Sequence, residues 1–209
     1  MRYIDIENWG RKEHFEFFSK FEEPFYGVVV DVDCTNIYKQ AKDNGYSFYL
    51  FYLHKILTAV NNSEPFKYRI NDGKIVIHDV IGVGPTVGRD DHTFGYGIID
   101  YDRDFATFVT LANKDIARVK AAKGLANPTG RQDIIHFSAL PWIKFTSVSH
   151  ARSFSYPDSV PKISVGKVTE KHGRLWMPVS VHVHHGLVDG YHVGQFIEVL
   201  EKLFVEDTP

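Results

Sequence analysis

The stretch His182-Val183-His184-His185-Gly186-Leu187-Val188-Asp189-Gly190-Tyr191-His192 concentrates four histidines and an acid within eleven residues. Val179, Val181 and Val183 alternate along the preceding segment, so a strand delivers two adjacent histidines to its C-terminal end. A glycine turn, an aspartate and a second glycine then open a helix. A strand end is rigid and a turn exposes its side chains, which suits a general base working near neutral pH. A metal site is the competing chemistry: His182 and His184 share a strand face at a spacing zinc can use. No second ligand cluster is evident and His185 leaves in another direction, so no metal is expected.

The elements that must position these residues can be read along the chain. A short helix is expected over Arg11–Phe18 and a strand over Tyr26–Val32. Asp33 can cap a helix running to about Asp43, and Ser47 another through about Asn61, apolar on a wide surface. Tyr68–Ile70 and Lys74–His78 flank an Asn-Asp-Gly hairpin signal. A strand is read at Phe94–Ile99 and a helix over Phe105–Lys123 closed by Gly124. Leu125–Gln132 reads as a loop. Strands follow at Ile134–Ser138, Trp142–Val148, Lys162–Val168 and, after a turn at Lys171-His172-Gly173, Leu175–His184. The last helix spans about Gly190–Phe204, with Val193, Phe196, Ile197, Leu200 and Phe204 on one stripe. Gly82, Gly84 and Gly88 lack the spacing of a phosphate loop, and Pro85 interrupts them.

Most strands are joined by loops too short for parallel crossovers, which predicts an α/β two-layer sandwich with a mostly antiparallel or mixed sheet packed with helices. The 209 residues fit one domain over 1–209. A net charge of -2 excludes a general nucleic-acid binder, and the single Cys34 excludes a disulfide framework. The longest apolar run, Phe48 to Val60, contains His54 and Lys55 and is too short for a bilayer. A cytoplasmic location without membrane contact is therefore expected.

His185-x-x-x-Asp189-Gly190, within HHGLVDGYH, resembles the HHxxxDGxH signature of the chloramphenicol acetyltransferase family. Two further segments resemble that family in the same order. They are Trp9-Gly10-Arg11-Lys12-Glu13-His14-Phe15 near the start and Ser138-Ala139-Leu140-Pro141-Trp142-Ile143-Lys144-Phe145 in the middle. The core HxxxDG is shared with dihydrolipoyl acyltransferase domains, but the opening segment is not.

The resemblance implies a CoA-dependent acyltransferase fold and acetyl transfer from acetyl-CoA, as co-substrate, to a chloramphenicol hydroxyl. It implies His185 as general base, its other ring nitrogen held by its own backbone carbonyl, and Ser138 as oxyanion donor. Asp189 pairs with Arg11 as a brace, and the Ser164 hydroxyl holds a water near the transition state. The resemblance implies direct transfer within a ternary complex, and Ser138 lacks the G-x-S-x-G elbow of a covalent nucleophile. Trp142 and Lys167 match positions on the CoA path, although core packing for Trp142 and a plain surface role for Lys167 remain open. Phe17, Phe18 and Phe94 match acceptor-pocket positions, as does His150, where an aliphatic residue is typical. The segment Gly82–Asp91 is one residue shorter than its family counterpart. A homotrimer is implied, with active sites between subunits and His185 facing acceptor residues of a neighbour. Two other readings stand beside this one: the same chemistry on another small alcohol or amine, and a non-catalytic CoA-binding trimer.

Overall fold

The computed structural model describes residues 1–126, 130–153 and 158–206. Part of the expected Leu125–Gln132 loop, residues 127–129, lies outside them, and the flanking residues form neither helix nor strand. In chain order the strands and helices are β1 (Arg2–Tyr3), α1 (Lys12–Phe18), β2 (Phe25–Asp33), α2 (Thr35–Asp43), α3 (Phe48–Asn62), β3 (Tyr68–Asn71), β4 (Lys74–Ile77), β5 (Gly82–Gly88) and β6 (Phe94–Tyr96). There follow α4 (Phe105–Ala121), β7 (Ile134–Leu140), β8 (Lys162–Gly166), β9 (Thr169–Lys171), β10 (Arg174–His184) and α5 (Gly190–Val205).

Local chemistry explains most boundaries. The Ser47 hydroxyl accepts the Leu50 N–H and starts α3, whose buried residues lie on all sides, as its unbroken apolar composition requires. Asp33 acts one residue earlier than a cap: its carboxylate takes both the N–H and the hydroxyl of Thr35, and Cys34 holds the cap position. Asp72 and Gly73 both have positive φ, 49° and 73°, so β3 and β4 close through a tight turn.

The main sheet has the order β2-β10-β8-β7-β5-β6, with β9 added beside β10. The β5–β7 and β7–β8 pairs are parallel and the others antiparallel, so the sheet is mixed, as expected. The hairpin β3–β4 stands apart with β1 as a second sheet. Among the described residues no helix is long and apolar enough to cross a membrane.

Two expectations fail here. Trp142–Val148 forms no strand. A turn at Pro141-Trp142, closed by the Ile143 N–H on the Leu140 carbonyl, sends this segment across the sheet instead of along it. The Ile143 carbonyl accepts the Lys167 N–H, and Phe145 is buried against Gly166, where a Cβ would come within 2.9 Å of its ring. Conversely, Gly82–Gly88 is strand β5. Gly82 lets that backbone approach closely, since a Cβ there would lie 2.7 Å from the Ile99 carbonyl. The expected strand Phe94–Ile99 stops at Tyr96, because the Asp115 carboxylate takes the Ile98 N–H at 2.7 Å.

Alternation gives the sheet two unlike faces. Val179, Val181 and Val183 of β10, Ile163 and Val165 of β8 and Phe137 of β7 are buried in the core, which also takes in helices α3 and α5. The other face is polar. Ser138, Ser164 and Ser180 stand in register on β7, β8 and β10. Two residues along, the next row is His136, Lys162 and His182, ending on Gly27 of β2.

His182 is seated by an omission. A Cβ at Gly27 would lie 2.2 Å from His182 Nε2, so only glycine leaves room for the ring. Gly27→Ala should therefore cost about 1–3 kcal/mol in urea unfolding, and most of that cost should vanish in a His182→Ala background. An equal cost in both backgrounds would mean that the ring is not what Gly27 accommodates.

His184 is buried at the end of the same face. Its Nδ1 accepts the Gly186 N–H at 3.1 Å, and burial, helped by Arg152, pushes its pKa down to about 4. An unfolded histidine binds its proton below about 6.5, while the native one stays neutral until near 4. Acidification through that window therefore draws protons to the unfolded state and lowers stability, by about 1.4 kcal/mol per pH unit for this group. In His184→Gln the acid limb of stability against pH should flatten by that slope. An unchanged slope would show that His184 is not a source of the acid sensitivity.

Candidate functional site

β10 is paired to β2 from Trp176 to His184 and to β8 from Val179 to His182, so its C-terminal end is fixed on both sides. The His185 N–H continues the edge by donating to the Pro24 carbonyl at 2.8 Å. The chain then turns sharply, with the Leu187 and Val188 N–H groups both reaching back to the His184 carbonyl. Gly186 packs closely in this turn, where a Cβ would sit 3.1 Å from the His184 ring.

Asp189 ends the turn and caps α5. Its Oδ1 accepts the N–H groups of Tyr191 and His192, while His192 Nδ1 accepts the Asp189 N–H, closing a reciprocal box. Its Oδ2 takes Arg11 Nη1 at 2.5 Å, joining the entry of α1 to the start of α5. Burial opposes ionisation of Asp189, but the Arg11 hydrogen bond and the neighbouring His192 outweigh it and hold the carboxyl below its ordinary range. Burial also pushes His192 down, so its contact with Asp189 is a cap rather than an ion pair.

His185 lies half-buried against aromatic rings. Phe18 stacks on it face to face, with centroids 3.9 Å apart and planes at 6°, and Tyr26 tilts against it at 4.5 Å. Its Nδ1 is buried without a hydrogen bond, so the carbonyl hold implied by the family resemblance is not made. Stacking therefore orients the ring here. Phe17, Phe18 and Phe21 form a cluster at the same end, with Phe17 58% exposed.

Ser138 is elsewhere. Its hydroxyl accepts from Thr86 Oγ1 at 3.4 Å, and across the ladder Ser164 is buried with an unpartnered hydroxyl. From the level of Ser180 to His185 is five residues along β10, and from β10 to β7 is two strands across. Strand geometry makes that about 16 Å by about 10 Å, or roughly 19 Å in all. One chain thus brings together His185, Asp189, Arg11 and Phe18, and separately Ser138 and Ser164, but does not bring the two groups together.

The remaining expected site residues are placed as follows. Trp142 is 80% exposed, which removes core packing as its explanation, and Lys167 is exposed beside it, with its N–H on the Ile143 carbonyl. Phe94 is 44% exposed at the tip of the β5–β6 hairpin, against Tyr96. His150 lies edge-on to His182 at 4.7 Å, on the polar face. The two histidines weighed as metal ligands are bonded to the protein: His182 to Ser180 Oγ and the Val148 carbonyl, and His184 to the Gly186 N–H. Sequence reasoning did not single out Tyr26 or Thr86, and no spacing marks them. The reciprocal box of Asp189 and His192 was likewise not read from the sequence.

The chloramphenicol acetyltransferase family model matches residues 1–201. A chloramphenicol acetyltransferase of Proteus mirabilis is 30% identical over 200 residues, covering 95% of this chain and 92% of the relative. One of Escherichia coli is 32% identical over 206 residues, covering 95% and 91%. A solved chloramphenicol acetyltransferase superposes with a TM-score of 0.91 at 32% identity, over 97% of this chain and 99% of that one. The dihydrolipoamide acetyltransferase of Azotobacter vinelandii shares the fold at a TM-score of 0.67 and 16% identity, over 93% and 86%. With His185, Asp189 and Arg11 assembled on that fold, the chain belongs to the chloramphenicol acetyltransferase family and is an acyltransferase.

Proposed function

We propose that this protein inactivates chloramphenicol by moving the acetyl group of acetyl-CoA to its primary hydroxyl, with His185 as general base. The observation that carries the reading is a histidine fixed at a strand end, stacked on Phe18 and followed by the Asp189–Arg11 brace, in a chain of this family. His185 Nε2 takes the hydroxyl proton as the oxygen attacks the thioester carbonyl. The Ser138 hydroxyl donates to the oxyanion that forms, and the Ser164 hydroxyl, buried and unpartnered, holds a water beside it. The C–S bond then breaks, and the imidazolium returns its proton to the CoA sulfur. Asp189 and Arg11 act as a brace and carry no proton. Acetyl-CoA is consumed as a co-substrate and no cofactor is retained. Trp142 and Lys167, both exposed, suit the CoA path, and Phe17, Phe18, Phe94 and His150 suit the acceptor.

The distance between Ser138 and His185 supports a homotrimer of whole chains, 1–209, in which His185 of one chain faces Ser138 of its neighbour. Because both substrates are small and acetyl-CoA is cytoplasmic, that is where the enzyme works.

Thiol release from acetyl-CoA by the purified protein should depend on chloramphenicol, and release that ignores it would refute this acceptor. His185→Ala should abolish turnover, and Ser138→Ala should lower kcat about 10²-fold with KM little changed. Co-expressing these two inactive variants should restore activity, since random mixing of chains leaves about a quarter of the intersubunit sites with both groups intact. No recovery in mixed oligomers would place both residues of each site on one chain.

A further inference from the structure

Strand β5 sets a second hydroxyl beside the one assigned to the oxyanion. Val83, Pro85 and Val87 are buried, so alternation turns Gly84, Thr86 and Gly88 to the other face. The parallel register of β5 on β7 pairs Gly84 with His136 and Pro85 with Phe137, and the next step brings Thr86 level with Ser138. On its other edge Thr86 is paired with Tyr96 of β6. Its backbone is thus held on both sides, and its β-branched side chain is stiff at χ1. Thr86 Oγ1 donates to Ser138 Oγ at 3.4 Å.

A hydroxyl has one proton to give and two lone pairs to fill. With Thr86 donating, one Ser138 lone pair is filled and the Ser138 proton is left to give. No neighbour in the row takes that proton. Ser164, level with Ser138 on the far side, is buried with an unpartnered hydroxyl. Among the described residues Ser138 makes no side-chain hydrogen bond but the one with Thr86. Thr86 and Ser138 are both partly exposed, so the free proton can meet a reacting group. A hydroxyl that already accepts a hydrogen bond is the stronger donor, by roughly 10–30%. The contact is longer than the spacing of about 2.7–2.8 Å usual for hydroxyl pairs. Catalytic hydrogen bonds of this kind tighten once charge develops on the group they serve.

We infer that Thr86 is a positioning residue for acetyl transfer: by donating to Ser138 Oγ it leaves the Ser138 proton aimed at the developing oxyanion and more readily given. Thr86 acts through Ser138 and need touch neither substrate. The inference deepens the proposed reaction and rests on the oxyanion role of Ser138. A threonine present only for its fit to a strand would be replaced by valine without loss, since the two differ by a hydroxyl for a methyl group.

Steady-state thiol release with acetyl-CoA and chloramphenicol tests this in Thr86→Val, Thr86→Ser and Ser138→Ala, and in Thr86→Val combined with Ser138→Ala. Thr86→Val should lower kcat about fivefold with KM unchanged, the scale of one neutral hydrogen bond. Thr86→Ser keeps the hydroxyl and should stay within about twofold of the native kcat. In the Ser138→Ala background Thr86→Val should cost nothing further, because the group it serves is gone. A native kcat in Thr86→Val overturns the inference, as does an equal loss in both backgrounds or a loss carried by KM. Should valine lower the urea midpoint, Thr86→Ala removes the same hydroxyl and must show the same loss, silent beside Ser138→Ala, or the inference falls. Failure of the proposed reaction looks different. No thiol release by the native protein, or a native kcat in Ser138→Ala, removes the oxyanion role and this inference with it. A native kcat in Thr86→Val beside a slow Ser138→Ala removes the role of Thr86 alone.

Discussion

The register of β10 is the constraint on which the rest depends. Its alternation puts Met177, Val179, Val181 and Val183 into the core and Ser180, His182 and His184 on the opposite face. A slip of one residue would exchange the two sets, burying two imidazoles among helices and exposing four apolar side chains. Pairing on both edges forbids that slip, with β2 along nearly the whole strand and β8 at its centre. His185 inherits its position from this ladder. It follows the last paired residue, and its own N–H is held by Pro24. The His185 ring is thus located by backbone hydrogen bonds and oriented by a ring, Phe18, rather than by a second polar partner.

The brace below it serves the same end by different means. Asp189 answers three donors at once, two backbone N–H groups at the start of α5 and the Arg11 guanidinium. A carboxylate so employed is lowered in pKa and has no reason to exchange protons with His185, which it does not touch. Its work is to tie α1, α5 and the histidine turn into one unit. Arg11 has buried Nε and Nη2 atoms without partners in the isolated chain, so removing Asp189 would leave a buried cation facing nothing.

Much of this was legible in the residues themselves. The valine alternation announced β10, the apolar stripe from Val193 to Phe204 announced α5, and the Asn-Asp-Gly turn announced the β3–β4 hairpin. What failed to show was whatever depends on a neighbour distant in sequence. Trp142–Val148 has a strand's composition, but a turn at Pro141-Trp142 redirects it, and Ile143 and Phe145 close on Gly166 instead of pairing along an edge. Gly82–Gly88 has a loop's composition, yet its glycines are what allow the Ile99 carbonyl and the Ile134 side chain to lie against it. Local propensity was overruled in both places by close approach. The site was legible in the same uneven way. The signature marks His185 and Asp189, but Tyr26 and Thr86 reach the chemistry only through the fold.

The separation of the two serines from His185 follows from these same elements. Ser138 and Ser164 share the polar face with His182 and His184, opposite the valines that β10 turns into the core. Yet the strand that displays Ser180 beside them carries His185 past the sheet's end, about 16 Å further on. A single sheet cannot turn its own strand end back onto its own face. Within one chain His185 and Ser138 therefore stand roughly 19 Å apart, one beyond the strand end and the other on the sheet face. Ser164 Oγ, His150 Nε2 and His185 Nδ1 are already buried within the chain and have no hydrogen-bond partner there.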